Sequence, residues 1–523
     1  MADPLTSEVT GIGAKRLYAT VAVCAVVVYL GALWNRFALD DVPIVVLNPL
    51  VAHPSGLWRA FAAPYWPPEF GGHMYRPLVI ASFAIDRLVD GAVWYHAVNL
   101  SWHAGAAVAV AALARRWLDP AGALVAGLLF AVHPVHVEAV ANVVGRAELM
   151  AAVFSVLTVY AALAGKPAVW SAAAFALGLL SKENAAVAPA LVVWAWMVGL
   201  ERPDRRRMLA LVGSWVAVGV AYAVVRALVR HPFGGYTGIA PMFVGQSWLT
   251  VRLTAIAALA DVARLLVFPL NLRVDYSPNE RTVVTSPLDL RFAGGLACVL
   301  LWCGLLVFAW RRRRKVEAFG IGWIGVAFLP VANLLYATGF YVAERTLYLP
   351  SVGLVLAATA ALVRLAHHRL RPVVAALCVL GAVRSALRVP VWRDDNAVTT
   401  SLLDDNQRRP SLSRRVVETH DGMLSQCNMS GGLARLSAYS PPCRSISRSP
   451  PTRRRPHSSC GSSSHSAAVS TSPPFSSFGR ARLPLRFPSC SRATPCARSL
   501  AIWTPSGEQR PARHVSCQMP GAT

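Results

Sequence analysis

The chain has 523 residues, of which 55% are hydrophobic and only 15% charged, with a mean hydropathy of +0.45. Those proportions exclude an ordinary soluble globular chain and point to an all-α polytopic membrane protein, because apolar runs of bilayer length recur along it. The net charge of +25 does not mark a nucleic-acid binder. Before residue 400 much of the basic charge lies in short clusters beside apolar runs (Arg115-Arg116, Arg205 to Arg207, Arg311 to Lys315, His367 to Arg371), as in cytoplasmic loops, and no nucleic-acid-binding module is present.

The first element follows Lys15 and Arg16. Residues 17 to 34, LYATVAVCAVVVYLGALW, carry no charge over eighteen positions, about 27 Å as a helix and close to the thickness of a hydrocarbon core. The run is long, lacks a small-residue cleavage site and ends in Trp34, so it reads as an uncleaved signal-anchor. With the basic end cytoplasmic, Asp40 and Asp41 emerge on the outer face. The Pro- and aromatic-rich stretch GLWRAFAAPYWPPEFGGHMYRPL is then expected on the outer surface, with 77 to 90 as a short interfacial helix.

Residues 93 to 114 return inward and 121 to 132 go out. HPVHVEAVANVVGRAE, 133 to 148, reads as an outer loop, since its His and acidic groups are hard to place in lipid. Residues 149 to 164 return, and the run from 168 to 199 is broken at Ser-Lys-Glu-Asn into two short spans. Residues 208 to 229 go out, and 250 to 270 are read as a re-entrant or interfacial hairpin, because a full crossing would place Arg311 to Lys315 outside. Crossings at 293 to 310, 317 to 336, 347 to 365 and 372 to 389 bring the expected total to about eleven, with the C-terminal part outside. Cys24, Cys298, Cys303 and Cys378 lie in apolar runs, and no zinc spacing or disulfide framework is evident.

Under this topology Asp40-Asp41, His133 to Glu148, Lys182-Glu183, Asp275-Tyr276 and Glu344-Arg345 collect on one face. Acids and cations at a lipid boundary suit transfer of a sugar from a polyprenyl phosphate to a hydroxyl. The lipid tail stays in the bilayer, a carboxylate takes the acceptor proton, and Arg stabilises the leaving phosphate. His133 and His136 read as loop hydrogen-bonders rather than metal ligands, for want of a third ligand.

FALDDVPIVVLNP, YRPL, YHAVNLSWH, HPVHVEAVANVVGRAELMAAVF, LLSKENA, LLVFPLNLRVDYS and VAERTLYLPSVG occur in an order that resembles the transmembrane and tetratricopeptide-repeat O-mannosyltransferase family, over roughly residues 16 to 435. The resemblance implies a C-type glycosyltransferase fold, a polyprenyl- or dolichyl-phosphate mannose donor, and Ser/Thr hydroxyls of proteins as acceptors. It implies Asp40 and Asp41 as the acidic motif, with Asp40 favoured as base, Asp41 as its partner and the reverse order open. Glu138, Arg146 and Glu148 match a second motif. Arg345 is the first choice for the donor phosphate and Lys182 the second. Glu344 is a further candidate, its other reading being a local ion pair with Arg345. No cofactor is implied outright, and a divalent metal ion stays open.

The domain reading is a cytoplasmic N-terminus over 1–16, a transmembrane glycosyltransferase domain over 17–391, and an outer segment over 392–440 that begins a degenerate tetratricopeptide repeat. Residues 441–523 hold eighteen Ser, thirteen Pro, twelve Arg and one acid, Glu508, a composition expected to stay disordered. Either it is a natural basic tail or, the favoured reading, an out-of-frame continuation of the gene. The expected home is a bacterial inner membrane, or the endoplasmic reticulum in a eukaryote, with the lipid-linked donor and a protein acceptor as partners. The rival functions are a polytopic transporter or flippase, which should show an internal repeat and mid-membrane charges, and a truncated, inactive transferase.

Overall fold

A computed structural model describes residues 13–70, 74–229, 238–276, 282–365 and 370–407. The expectations for 408–440 and 441–523 lie outside the described residues. Among the described residues the regular structure is helical throughout, with no strand. The long helices are α1 (Ala14–Val28), α2 (Pro77–Asp86), α3 (Ala92–Ala114), α4 (Pro120–Ala131), α5 (Val137–Ala141), α6 (Arg146–Leu163), α7 (Ala168–Ser181) and α8 (Ala188–Met197). They continue with α9 (Arg205–Val229), α10 (Trp248–Val267), α11 (Leu290–Arg311), α12 (Lys315–Phe328), α13 (Tyr348–Leu365), α14 (Leu370–Arg388) and α15 (Asp395–Gln407).

Among the described residues seven segments are long and apolar enough to cross a membrane: Ala14–Trp34, Ala92–Ala114, Val143–Leu163, Arg205–Val229, Leu290–Arg311, Glu344–Leu365 and Pro372–Trp392. An eighth results if Pro120–Ala131 and Pro134–Ala141, bent by 48°, form one broken span. The chain is therefore an all-helical, multi-pass membrane protein, with fewer full-length spans than the expected eleven. The shortfall lies in α7, α8 and α12, of 14, 10 and 14 residues. At about 1.5 Å per residue these helices fall short of a hydrocarbon core of about 30 Å.

The helices are apolar all round, so packing decides which face turns inward. In the first span Leu17, Val21, Ala25, Tyr29 and Ala32 line the buried side, while Val23 and Val27 are exposed. Helices α12 and α13 touch backbone to backbone: a Cβ on Gly320 would run into the Gly353 carbonyl, and one on Gly353 into the Gly320 carbonyl. No larger residue allows that approach.

The connections sort into two ends. At one, Arg116 pairs with Glu201 at 2.5 Å, Lys315 Nζ donates to the Gly199 carbonyl at 2.9 Å, Arg207 donates to the carbonyls of Gly165 and Lys166, and Arg364 pairs with Glu317. At the other lie the turn holding Asp40, the bend after α4, the break between α7 and α8, and the start of α13. Both ends of α10 meet this second end: Arg252 bonds the carbonyls of Asn333 and Leu335, and the Leu266 carbonyl bonds His133 Nε2 at 3.0 Å. This helix is not among the seven spans.

One expectation is corrected. Residues 133–148 are not an outer loop. They form short turns, α5 and the start of α6, with His136, Glu138, Asn142, Arg146 and Glu148 all buried. The short helix α2 packs Val79, Ile80 and Phe83 with Ile44, Val45, Tyr65, Tyr95 and Val143 into a separate apolar core. That core lies beneath the Asp40 turn and fixes it.

Candidate active site

The turn at 38–41 is held from three directions. Asp41, 1% exposed, accepts backbone N–H bonds from Ala38 at 3.1 Å, Val144 at 2.8 Å and Val143 at 3.4 Å. Asn35 Nδ2 donates to the Ala141 carbonyl at 3.2 Å. The Leu39 N–H donates to Asp395 Oδ1 at 2.7 Å, holding Leu39 at a left-handed φ of 50°, a conformation a side chain adopts at some cost. Burial pushes the Asp41 carboxyl up to about 7, against the three N–H donors and helped by the charge of Asp40. Asp41 is thus enclosed and occupied by backbone.

Asp40 is exposed, and its carboxyl makes no hydrogen bond among the described residues. Crowding by protein around it pushes the carboxyl above the usual carboxylate range, while Arg345 and then Arg76 pull it back. Water reaches this acid and does not reach Asp41, so Asp40 is the one placed to exchange a proton with a ligand.

Two cations, Arg345 and Arg76, act on it, and a third, Lys182, stands in the field of those two; each is anchored by a carboxylate from another element. The Arg345 guanidinium pairs with Glu138, whose second oxygen takes the Arg345 backbone N–H at 2.8 Å. Lys182, in extended backbone at the break between α7 and α8, pairs with Glu148, which also accepts from Asn184 Nδ2 at 2.9 Å. Arg76, at the N-cap of α2, bonds Glu183 through Nε and a terminal nitrogen, both at 3.1 Å, and lies 5.0 Å from the Tyr65 ring centroid. Arg76 and Arg345 act on Asp40, and both act on Lys182, so the three cations and the acid form one electrostatic cluster. Burial pushes the Lys182 ammonium below its ordinary range.

The sequence candidates separate accordingly. Asp40, Lys182 and Arg345 come together, and Glu138 and Glu148 are the anchors of the two cations. Arg146 does not join them. It is fully buried and gives its donors to Asp86, to Asn99 Oδ1 at 2.8 Å, to Ser82 and to the Tyr95 carbonyl at 2.9 Å, beneath the Phe83 ring. Its part is to hold α6 against α2 and α3. Replacing Arg146 with Ala is expected to cost about 3–5 kcal/mol, because Asp86 is left buried without its partner. Melting of the detergent-solubilised protein checks this, and the pair change Asp86→Leu/Arg146→Met is expected to recover most of the loss.

Glu344 does not pair with Arg345. It is fully buried and accepts from Tyr276 Oη at 2.7 Å and from the Arg273 N–H at 2.5 Å. His133 and His136 make hydrogen bonds, the latter to Ser351 Oγ at 2.8 Å. Among the described residues no three His, Cys, Asp or Glu side chains converge as a metal site. Arg76 and Tyr65 were absent from the sequence-derived candidates, and Glu183 stood there only as the neighbour of Lys182 in its polar cluster. The signal was a lone Arg in YRPL following an aromatic stretch, on the face already assigned to the acids.

The site and helices together define a polytopic membrane protein with an exposed acid in the field of anchored cations at one end of the bundle. The comparisons find it similar to proteins named protein O-mannosyl-transferases. It is 27% identical over 357 residues to protein O-mannosyl-transferase F38B6.6 of Caenorhabditis elegans, covering 66% of this chain and 51% of the relative. It is 28% identical over 454 residues to TMTC4 of Homo sapiens, covering 73% and 61%. It is 32% identical over 320 residues to Tmtc2 of Drosophila melanogaster, covering 56% and 33%. These similarities match the family resemblance carried by the motifs, and the chain spans about half the length of the first two relatives. No protein-family model matches the chain, and no solved structure matches it.

Proposed function

We propose that this chain is a membrane-embedded glycosyltransferase that moves mannose from a polyprenyl or dolichyl phosphate to Ser/Thr hydroxyls of proteins, at the outer or lumenal face. The observation that carries the reading is the solvent-open Asp40 within the field of Arg345 and Arg76, at the end of the bundle where the apolar helices stop. The opposite end carries Arg116, Arg207 and Lys315, and the preference of basic clusters for the cytoplasm supports the outward placement of the site.

In the proposed reaction the acceptor oxygen attacks the anomeric carbon as Asp40 takes its proton. The bond from that carbon to the phosphate oxygen breaks, and its electron pair leaves with the polyprenyl phosphate. Arg345 and Lys182 meet the charge that grows on the phosphate. Glu138 and Glu148 keep those cations in place before the donor arrives, which spares reorganisation during reaction. One displacement inverts the anomeric centre. The test is transfer by the purified full chain from β-linked polyprenyl-phosphate mannose to a Ser/Thr peptide, with NMR of the product. An α-linked mannosyl peptide is expected. A β-linked product would remove Asp40 as base of a single displacement, and absence of transfer would favour a transporter or an inactive chain.

A further inference from the structure

Two groups near Asp40 are left with capacity that the fold does not use. Tyr65 is 2% exposed, and its buried hydroxyl has no hydrogen-bond partner at normal distance, Arg76 being the side chain that reaches towards its oxygen while nothing takes its proton. A buried hydroxyl normally finds one, and leaving it bare costs stability. The nearest charges are those of Arg76, Asp40 and Asp41. Arg76 lies over the Tyr65 ring and spends Nε and one terminal nitrogen on Glu183, so its other terminal nitrogen has no bond among the described residues. One unpartnered O–H and one unpartnered N–H therefore flank Asp40, and Arg345 lies within electrostatic reach of the same acid.

We propose that Tyr65 and Arg76 form a second oxyanion-binding pair, which takes the phosphate of the lipid donor together with Arg345. The inference rests on the glycosyltransferase reading and deepens it. Two donors of different kind fit a tetrahedral phosphate with several oxygens: the Arg76 N–H supplies charge and the Tyr65 O–H a directed bond. Burial pushes the Tyr65 phenol up, so it keeps its proton and remains a donor at neutral pH. The charge that builds on the phosphate as the sugar departs strengthens both bonds. Glu183 orients Arg76, and the apolar core under Tyr65 fixes the ring.

The test is binding of polyprenyl phosphate, against uncharged polyprenol of the same length, to the full chain in phosphatidylcholine nanodiscs. Tyr65→Phe removes an oxygen whose one polar neighbour, Arg76, is already held by Glu183, so its melting temperature should stay close to that of the wild type. Its affinity for polyprenyl phosphate should fall by about tenfold, the size of one hydrogen bond to a charged group, with polyprenol binding unchanged. Arg76→Gln should weaken the phosphate-bearing lipid further and leave polyprenol alone. Wild-type affinity in Tyr65→Phe would overturn the inference while leaving the transferase reading in place. A wild-type chain that bound both lipids equally would overturn both.

Discussion

Asp40→Asn is expected to lower transfer by about 10²–10⁴-fold, the usual contribution of a general base, with the melting temperature and donor affinity close to those of the parent protein. The reason is geometric. The Asp40 carboxyl is exposed and makes no hydrogen bond among the described residues, so an amide of the same shape removes basicity and little else. The pH profile provides a second readout. The base works ionised, and crowding raises its pKa above the usual carboxylate range, so kcat/KM should fall with decreasing pH at a higher pH than an ordinary Asp would give. Turnover by Asp40→Asn near the parent rate, measured with purified protein and polyprenyl-phosphate mannose, would move the base elsewhere.

Arg345 carries the second large expected effect. Arg345→Ala should raise the donor KM and also lower stability, because Glu138 is 1% exposed and would lose its cation. Arg345→Lys separates the two contributions. A lysine keeps the charge opposite Glu138 and so should restore most of the melting temperature. It cannot offer a planar fork to Glu138 and the phosphate together, so donor binding should recover only in part. In Arg345→Gln the strongest pull holding down the Asp40 pKa is gone, and the acid limb of kcat/KM should move to higher pH. A lysine variant with full donor affinity, or a glutamine variant with an unmoved acid limb, would remove Arg345 from the phosphate and from the neighbourhood of the base.

The acid was legible in the sequence because two carboxylates directly follow an eighteen-residue uncharged run, and a bilayer leaves such groups only its edge. Arg345 and Lys182 were legible as cations on the same face. What the sequence does not carry is pairing. Arg76 meets Glu183 across 107 positions and Arg345 meets Glu138 across 207, and no local pattern encodes either contact. Arg146 shows the same limit from the other side. Its place in a polar motif suggested ligand contact, whereas Asp86, Asn99 and the Tyr95 carbonyl absorb it inside the bundle. The span count is not settled by hydropathy, which marks where apolar runs occur and does not show where turns such as Glu183–Val187 divide them into short helices.

The grip on Leu39 joins chain segments that are far apart in sequence. Asp395 holds the Leu39 amide, and the Arg393 carbonyl takes the Arg36 amide at 2.7 Å, so the segment leaving the last span is tied to both sides of the turn that carries Asp40. Helix α15 is thus one end of a lever with a short arm. A force or a shift applied there reaches the acid through two hydrogen bonds and a residue whose left-handed backbone has a lower-energy conformation available if it is released. A displacement of α15 would thus change the posture of Asp40, the base of the proposed reaction.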